Sequence, residues 1–376
     1  MRTLVVAGYG PAGHRLVQEL RALDASGTWR IVVLAEEPRP AYNRIALSSL
    51  VSGRDPAALA LPAALALPGV PPDALVDVRL STTVTGIDRA GGAVRCSDGT
   101  RVPYDALVLA TGSRPFVPPV PGHDLPHCFT YRRIEDVDAI RAAARPGRPA
   151  VVVGGGLLGL EAADAVRRLG MRTRVVETAP HLMPLQVDAD GGRLLGELVR
   201  GLGIEVHCGA RTVSVGPRAV RFADGTELAA DLVVFSAGIR PRDELAASAG
   251  LATGERGGFL VDARLRTADE RIRAIGECAA VEGRCYGLVA PGRRMAGLVA
   301  RQLMDLEAPS YADTAQPARL KVLGLGVTGF GDVHARTEGA IELRETDHTT
   351  GAYRKRVLAA DGETLLGRVE VSATSR

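Results

Sequence analysis

The sequence lacks the cysteine pairs that most often carry metal or disulfide chemistry. No two of its cysteines form C-x-x-C, the spacing of zinc knuckles and of local iron–sulfur loops. Its seven histidines show no metal-ligand spacing either. We therefore predict no metal site and interpret the cysteines as small buried hydrophobic residues. The five cysteines are Cys96, Cys128, Cys208, Cys278 and Cys285.

Long apolar runs and an excess of one charge are also missing. No apolar stretch reaches the roughly 18 residues that a membrane helix needs. The first residues already have a strand pattern, so we expect no secretory leader. The formal net charge is only +3 and no basic run is present, which argues against a nucleic-acid partner. We expect a cytoplasmic protein that binds neither membrane nor nucleic acid, and 376 residues suffice for two or three domains. A homodimer is one assembly that the sequence leaves open.

The sequence contains two copies of the same supersecondary pattern. Residues 4–36 are LVVAGYGPAGHRLVQELRALDASGTWRIVVLAE, and residues 151–177 are VVVGGGLLGLEAADAVRRLGMRTRVVE. In each, an apolar strand runs into a glycine-rich turn, a helix and a second strand that ends in a carboxylate. This is the pattern of a βαβ unit that binds a dinucleotide.

The second unit carries the complete G-x-G-x-x-G motif in Gly154, Gly156 and Gly159. The first glycine permits a tight turn, the second lets a pyrophosphate approach the backbone, and the third lets helix and strand pack closely. The helix that begins at Leu157 and Leu158 offers free N–H groups and a partial positive charge to the phosphates.

Glu177 indicates which nicotinamide coenzyme is used. It lies eighteen residues after Gly159, where a carboxylate accepts a hydrogen bond from a ribose 2′-hydroxyl. The same carboxylate repels a 2′-phosphate, and residues 178–184, TAPHLMP, contain no Arg or Lys to neutralise one. We predict that NADH is preferred over NADPH.

The first unit repeats the motif, so the protein has two dinucleotide sites. Such a pair suits a tightly bound flavin and a nicotinamide coenzyme that arrives, gives its hydride and leaves. We therefore predict FAD and NADH as cofactors. The loop of the first unit comprises Gly8, Gly10, Pro11, Ala12 and Gly13.

The order of the segments predicts an α/β protein with two Rossmann-like domains, the first interrupted by the second. The opening segment lacks a last strand, which residues 271–283, RIRAIGECAAVEG, would supply. We predict an FAD-binding domain from 1–114 and 239–308 and an NAD-binding domain from 115–238. Antiparallel strand patterns after it predict a small α/β or β end-domain over 317–376.

Four segments carry a resemblance to a known family. They are AEEPRPAYNRIALSS (35–49), VVVGGGLLGLEAA (151–163), FSAGIRP (235–241) and AIGECA (274–279). Together they resemble the FAD/NAD(P)-dependent pyridine-nucleotide oxidoreductases. Within them, the similarity is greatest to the N-terminal flavin module of assimilatory NAD(P)H nitrite reductase large subunits, a branch that GLVAPG (287–292) also favours. Rubredoxin and ferredoxin reductases and apoptosis-inducing factor are more distant relatives.

The resemblance implies the residues that hold the adenosine half of FAD. It places Glu36 and Glu37 at the adenosine ribose, Arg44 near the pyrophosphate and the backbone of Val84 at the adenine. From the residues alone, Glu37 is as readily a solvated carboxylate.

The resemblance also implies contacts to the rest of the flavin. Thr111 and Gly112 would close the FAD domain, and Arg132 would lie near the isoalloxazine. Glu277 would contact the ribityl–phosphate portion, where relatives usually carry the shorter Asp.

At the reacting ends of the cofactors, the resemblance implies three further features. Ala290 and Pro291 begin a helix whose N-terminus would point at the N1–C2=O edge of the flavin and stabilise its reduced, negative form. Glu161 would lie near the nicotinamide carboxamide, but the lysine that pairs with it in relatives is Ser49 here. The alternative for Glu161 is a carboxylate that the helix dipole favours. Gly238 either lets the backbone approach the nicotinamide or is a simple turn glycine.

These features predict an NADH-dependent FAD reductase that passes electrons to a separate redox protein in nitrite or nitrate assimilation. The expected acceptors are a sirohaem nitrite reductase, a nitrate reductase, or a ferredoxin- or rubredoxin-type carrier. Two alternatives remain: a ferredoxin or rubredoxin reductase or NADH oxidase, and a non-catalytic flavoprotein that senses NADH. No C-x-x-x-x-C pair is present, so we do not expect disulfide reduction. Without iron–sulfur or sirohaem cysteines the chain is not expected to reduce nitrite alone. The end-domain, shorter than in relatives, is the expected docking face for the acceptor.

Overall fold

The computed structural model describes residues 1–62, 75–312, 318–320, 323–347 and 349–373. They form two compact units. Unit 1 comprises Met1–Arg44, Ala57–Arg114 and Ile239–Thr314, and unit 2 comprises Ile45–Pro56, Pro115–Gly238 and Ala315–Arg376.

Unit 1 is built on a five-stranded parallel sheet with the order β19-β7-β1-β2-β3. Residues 4–6 of its central strand are fully buried apolar side chains, as expected for a parallel strand covered on both faces. Strand β19 comes from the segment 271–283 and pairs with β7 of the opening segment, with Ile272 opposite Leu107. This pairing confirms the predicted completion of the sheet. The strands are β1 (Arg2–Ala7), β2 (Trp29–Leu34), β3 (Val76–Arg79), β7 (Ala106–Leu109) and β19 (Ile272–Ala274).

Smaller sheets and helices complete unit 1. Helix α1 buries Leu16, Val17 and Leu20 against the parallel sheet and packs on α7. The helices are α1 (Pro11–Leu23), α6 (Leu245–Ala249) and α7 (Val289–Leu303), with 3-10 turns at Pro56–Leu59 and Gly276–Cys278. The remaining strands are β4 (Val84–Asp88), β5 (Ala93–Cys96), β6 (Arg101–Pro103), β8 (Ser113–Pro115), β17 (Ile239–Pro241), β18 (Phe259–Val261), β20 (Ala279–Val281) and β21 (Arg284–Cys285).

Unit 2 contains a second five-stranded parallel sheet, with the order β12-β11-β10-β16-β9. Its central strand is again apolar and buried along its whole length. Both parallel sheets confirm the predicted α/β class. The strands are β9 (Cys128–Thr130), β10 (Pro149–Val153), β11 (Arg172–Glu177), β12 (Glu205–Cys208) and β16 (Leu232–Phe235).

Helices and an antiparallel sheet surround this core. Helix α2 packs against both α3 and α4. The helices are α2 (Ser48–Val51), α3 (Ile134–Ala143), α4 (Leu157–Arg168) and α5 (Ala189–Gly201), with a 3-10 turn at Arg44–Ala46. The antiparallel strands are β13 (Thr212–Val215), β14 (Ala219–Phe222) and β15 (Glu227–Ala229).

The C-terminal segment forms an antiparallel sheet with the order β22-β23-β26-β25-β24. Its described strands confirm the predicted antiparallel pattern, although residues 317, 321–322, 348 and 374–376 of the predicted end-domain lie outside the described residues. The strands are β22 (Ala318–Leu320), β23 (Leu325–Gly331), β24 (Ile341–Asp347), β25 (Ala352–Leu358) and β26 (Leu365–Ala373).

A buried polar network joins this sheet to α5 within unit 2. Asp188 caps α5 by accepting from the N–H of Gly191, and it accepts the hydroxyl of Tyr353 at 2.7 Å. The ammonium of Lys355, only 2% exposed, lies 3.4 Å from Asp188 and 2.6 Å from Glu342. Since a buried cation is tolerated only when it is paired, these contacts fix how the sheet packs on α5.

Candidate functional site

The first glycine-rich turn joins β1 to α1 in unit 1. Gly8 has a φ of +108°, and a Cβ built there would overlap the carbonyl oxygen of Ala110. A Cβ at Gly13 would overlap the carbonyl oxygen of Gly8. Gly10 differs: no described atom lies within 4 Å of a Cβ built there, and its φ of −75° is open to any residue. The outer glycines are thus needed for packing, whereas Gly10 leaves space beside the start of α1.

The start of α1 provides donors for an anion. Gly10 is the N-cap and Pro11 the first helical residue, so its missing N–H costs nothing. The first turn carries no acidic side chain. Free backbone N–H groups and the helix dipole therefore suit a pyrophosphate at this point, and Ala12 lies in the same turn.

Two carboxylates lie beyond the end of β2, beside this loop. Glu37 accepts from the hydroxyl of Tyr42 at 2.8 Å and pairs with Arg44. Glu36 pairs with Arg242. The carboxyl end of the strand next to β1 is where a Rossmann unit holds an adenosine ribose. Their assignment to the ribose, and that of Arg44 to the pyrophosphate, stays a prediction, and Glu37 is a paired rather than a freely solvated carboxylate.

Two further segments meet at the same edge of unit 1. Thr111 donates its hydroxyl to the carbonyl of Arg242 at 2.6 Å, and the carbonyl of Gly112 accepts from the N–H of Arg242 at 3.0 Å. Glu277 accepts from the hydroxyl of Ser113 at 2.8 Å. These contacts hold the ends of β7 and β19 in place and leave the proposed flavin roles of Thr111, Gly112 and Glu277 as predictions.

Helix α7 approaches the loop closely with its first turns. Ala290 and Pro291 are its second and third residues. A Cβ at Gly292 would lie 3.1 Å from Cα of Gly276, and one at Gly276 would lie 3.0 Å from Cβ of Ala12. Small residues thus let the α1 turn, the Gly276 turn and α7 pack together. Val84 begins β4, where it pairs with Cys96, and its contact with adenine stays a prediction.

The second glycine-rich turn reproduces this geometry in unit 2. Gly154 has a φ of +120°, and a Cβ there would overlap the carbonyl oxygen of Ser236, while one at Gly159 would overlap that of Gly154. Gly156, the N-cap of α4, has no described atom within 4 Å of a Cβ built there. Two outer glycines packed against backbone and an open middle glycine therefore occur in both units.

Glu177 closes the second loop. One carboxylate oxygen accepts from the N–H of Gly155 at 2.7 Å and the other from the N–H of Ala179 at 2.8 Å. A carboxylate has about four acceptor positions, so both oxygens can still accept from a ribose. Gly238 follows β16 with a φ of +112° and no described atom within 4 Å of a built Cβ, which leaves its backbone open to a ligand. Leu157 and Leu158 form the first turn of α4.

Glu161 lies on the second turn of α4 and is half-buried. Burial raises its pKa from 4.5 to about 7. In the described part of the chain it makes neither a hydrogen bond nor an ion pair. Ser49, on α2, donates its hydroxyl to the carbonyl of Ala46 at 2.6 Å, which is a local contact three residues back in the chain. Arg132, also in unit 2, donates its backbone N–H to Asp136 at 2.7 Å, and its place near the isoalloxazine stays a prediction.

The sequence did not point to three of the residues that shape the site in unit 1. Tyr42 and Arg242 hold the two carboxylates after β2, and Ser113 holds Glu277. Tyr42 lies within segment 35–49, which carries part of the family resemblance, but no local pattern pairs Arg242 with a glutamate 206 positions away. Among the described residues, no group of three or more His, Cys, Asp or Glu side chains could hold a metal ion, and no helix is long and apolar enough to cross a bilayer.

Comparisons with known proteins agree with this geometry. The family model described as pyridine nucleotide-disulphide oxidoreductase matches residues 2–316. The NAD(P)H nitrite reductase large subunit of Klebsiella oxytoca is 44% identical over 98% of this chain and 38% of its own length. The rubredoxin-NAD(+) reductase of Alcanivorax borkumensis is 32% identical over 94% of this chain and 91% of its own length.

A solved structure extends the likeness to three dimensions. The ferredoxin reductase for the CYP199A2 system of Rhodopseudomonas palustris is 29% identical, with a TM-score of 0.85 over 99% of this chain and 91% of its own. By contrast, the chain spans only 38% of the length of the Klebsiella nitrite reductase.

Proposed function

The chain belongs to the pyridine nucleotide-disulphide oxidoreductase family, and from that premise we propose that it is an NADH-dependent FAD reductase. It takes electrons from NADH and passes them through FAD to a separate redox protein in nitrite or nitrate assimilation. One observation carries the proposal: each compact unit contains a glycine-rich turn whose outer glycines are packed against backbone and whose middle glycine is open. A chain with two such turns is suited to two dinucleotides.

In this proposal, residues 1–114 and 239–308 hold FAD and residues 115–238 hold NADH. FAD supplies the ability to accept a hydride from a nicotinamide and to release its electrons one or two at a time. The protein positions the cofactors and supplies the electrostatic field around them. Gly10 and the start of α1 bind the flavin pyrophosphate, Glu36 and Glu37 lie at its ribose, and the N-terminus of α7 favours the reduced, negative flavin.

The acceptor in this proposal is a protein rather than a disulfide. All five cysteines are free thiols. Burial raises the pKa of Cys128 to about 11 and also raises those of Cys208, Cys278 and Cys285, so these sulfurs are protonated at neutral pH and are poor nucleophiles. The likeness to nitrite reductases supports a sirohaem nitrite reductase or a nitrate reductase as acceptor. We place the activity in the cytoplasm, with the 317–376 sheet as the docking face and a homodimer as an allowed assembly.

A second candidate is a ferredoxin or rubredoxin reductase. The observation that favours it is length: the chain covers 91% of the Alcanivorax rubredoxin reductase and 91% of the Rhodopseudomonas ferredoxin reductase. In this case a small iron–sulfur carrier takes the electrons.

Anaerobic mixing of the FAD-loaded chain with NADH tests both candidates. We expect the flavin colour to bleach and ferricyanide to restore it over many turnovers. Sirohaem nitrite reductase, ferredoxin and rubredoxin are then offered in turn, with oxygen as a control. Rapid transfer to the first supports nitrite assimilation, and transfer to either carrier alone supports the second candidate. A stable complex with NADH and negligible turnover contradicts both.

A further inference from the structure

Two arginines of unit 1 form a cross-strand pair of like charge. Arg273 is the middle residue of β19, and Arg266 lies opposite it in an antiparallel bridge. The N–H of the residue after each arginine donates to the carbonyl of the residue before the other, at 3.0 and 3.2 Å. This pattern defines a non-hydrogen-bonded pair, in which the two side chains leave the same face of the strands at close separation.

Neither guanidinium forms an ion pair in the described part of the chain. The Nε of Arg266 is buried and has no hydrogen-bond partner there. The carboxylate of Asp262 accepts instead from the backbone N–H groups of Arg264 and Arg266, at 2.8 and 2.9 Å. The carboxylate of Asp305 pairs with Arg2. Like charges directly opposite each other destabilise a strand pair, so this unpaired arrangement needs an explanation.

Gln302, near the end of α7, brings a further unused donor to the pair. The residue is only 8% exposed, and its Oε1 accepts from the Nε of Arg273 at 3.4 Å. Its amide nitrogen, Nε2, is buried and has no partner in the part of the chain that the structure describes. Because the amide oxygen is used by the arginine, the free group of Gln302 is a donor. Three side chains from separate segments therefore bring donors together without an anion to receive them.

The charges around the pair do not balance it. Burial lowers the pKa of Arg273, and the positive charges of Arg266 and Arg264 lower it further. The carboxylates of Asp262 and Asp305 act in the opposite direction but do not cancel the effect. A negative ligand between the two guanidinium groups removes both the cost of burial and the repulsion.

The pair lies away from the first glycine-rich loop. Gln302 comes ten residues after Gly292 on α7, which corresponds to about 15 Å along the helix. Gly292 is the residue that packs on the Gly276 turn beside that loop. The second loop belongs to unit 2. A ligand at the arginine pair is therefore not part of the dinucleotide sites assigned above.

We propose that Arg266, Arg273 and the amide of Gln302 form a binding site for a small, doubly charged oxyanion of the phosphate class. A guanidinium presents parallel N–H donors that match two oxygens of such an anion. Two guanidinium groups on one face balance a charge of −2, and the amide of Gln302 adds a neutral donor. The proposed electron transfer does not use this site, so the inference is independent of it.

The test is calorimetric titration of the FAD-loaded chain with inorganic phosphate. NAD⁺ is kept at saturation so that the second loop is occupied, and sodium chloride holds the ionic strength constant. Wild type should bind one phosphate per chain. Arg266→Gln and Arg273→Gln should each weaken binding at least about tenfold, because each removes hydrogen bonds between charged groups. Arg264→Gln is the matched control: it removes the same charge from the same segment, at an exposed position, and should change the affinity by less than about twofold.

Melting curves give a second readout that does not depend on the coenzymes. Without phosphate, Arg266→Gln should melt no lower than wild type, because it removes repulsion between like charges. Phosphate should raise the melting temperature of wild type and leave that of Arg266→Gln unchanged. Sulfate should act like phosphate, whereas nitrate, with a single charge, should not. Glycerol 3-phosphate identifies the source of the anion: equal affinity indicates the free ion, and tighter binding indicates the phosphate group of a larger molecule.

Three results overturn the inference. The first is a wild type that binds no phosphate under these conditions, and the second is an affinity that Arg266→Gln and Arg273→Gln leave unchanged. The third is an equal loss in Arg264→Gln, which indicates general positive charge instead of a built site. A chain that binds neither FAD nor NAD⁺ contradicts the proposed function alone, since the same phosphate titration without coenzymes still compares wild type with the variants.

Discussion

Replacing the open glycine of each loop with alanine tests the assignment of one dinucleotide to each unit. Gly10→Ala and Gly156→Ala each add one methyl where no described atom lies within 4 Å, and both backbones are extended, with φ of −75° and −80°. Alanine is a poorer N-cap than glycine, so each variant loses on the order of 1 kcal/mol of stability and remains folded. The methyl group instead occupies the space through which a pyrophosphate reaches the backbone N–H groups.

The size of the effect follows from the contacts that are lost. A hydrogen bond to a charged group contributes about 1.5–3 kcal/mol, so the loss of one weakens binding by about 10- to 100-fold. Gly10→Ala should lose FAD during purification and still bind NADH. Gly156→Ala should stay yellow and show a raised Kd for NADH by calorimetry. Melting curves identify a variant that has merely unfolded. If Gly10→Ala keeps its flavin, or if both variants lose the same coenzyme, the assignment is refuted.

Three other substitutions test the electrostatics of unit 2. Replacing Glu177 with Gln should reduce the ratio of kcat/KM for NADH over NADPH by about tenfold, because a carboxylate that repels the 2′-phosphate is gone; a wild type that prefers NADPH contradicts the assignment. Since burial raises the pKa of Glu161 from 4.5 to about 7, the folded state retains a proton that the unfolded state has released, and wild-type stability falls as pH rises through that window. Glu161→Gln removes this fall, so above the window its free energy of unfolding should exceed that of wild type by at most about 3 kcal/mol. Equal pH profiles of the two proteins in urea unfolding argue against a carboxyl shielded from solvent. Lys355→Met leaves the buried charge of Asp188 without its cation and should lower the free energy of unfolding by about 3 kcal/mol in the same assay. The control is Arg354→Met at an exposed position, which should change it by less than about 1 kcal/mol. Similar values for both variants indicate that the network is not buried.

The glycine loops could be predicted from sequence because their requirement is local. A strand, a turn that needs glycine and a helix follow one another directly in the sequence. The close packing of Gly154 and Gly159 could therefore be predicted from the spacing of the glycines. The last strand of the first sheet was also predictable, since the opening segment lacked a strand and Ile272 and Ala274 flank Arg273 as buried apolar residues.

The partners of the carboxylates could not be predicted, because they come from distant parts of the chain. Glu36 meets Arg242 only once the two segments of unit 1 have joined. The pairing of Lys355 with Asp188 likewise depends on how the last sheet packs on α5. Helix α2 packs against α4, the helix that carries Glu161, but it is a single turn with no periodic pattern of its own, so this contact could not be predicted.

The most direct measurement of the central claim is the flavin content of the purified chain and its response to NADH without oxygen. The account predicts one FAD per chain, bound on purification or after reconstitution, and complete bleaching by one equivalent of NADH. A chain that stays colourless after reconstitution with FAD, or whose bound flavin NADH does not reduce, contradicts it.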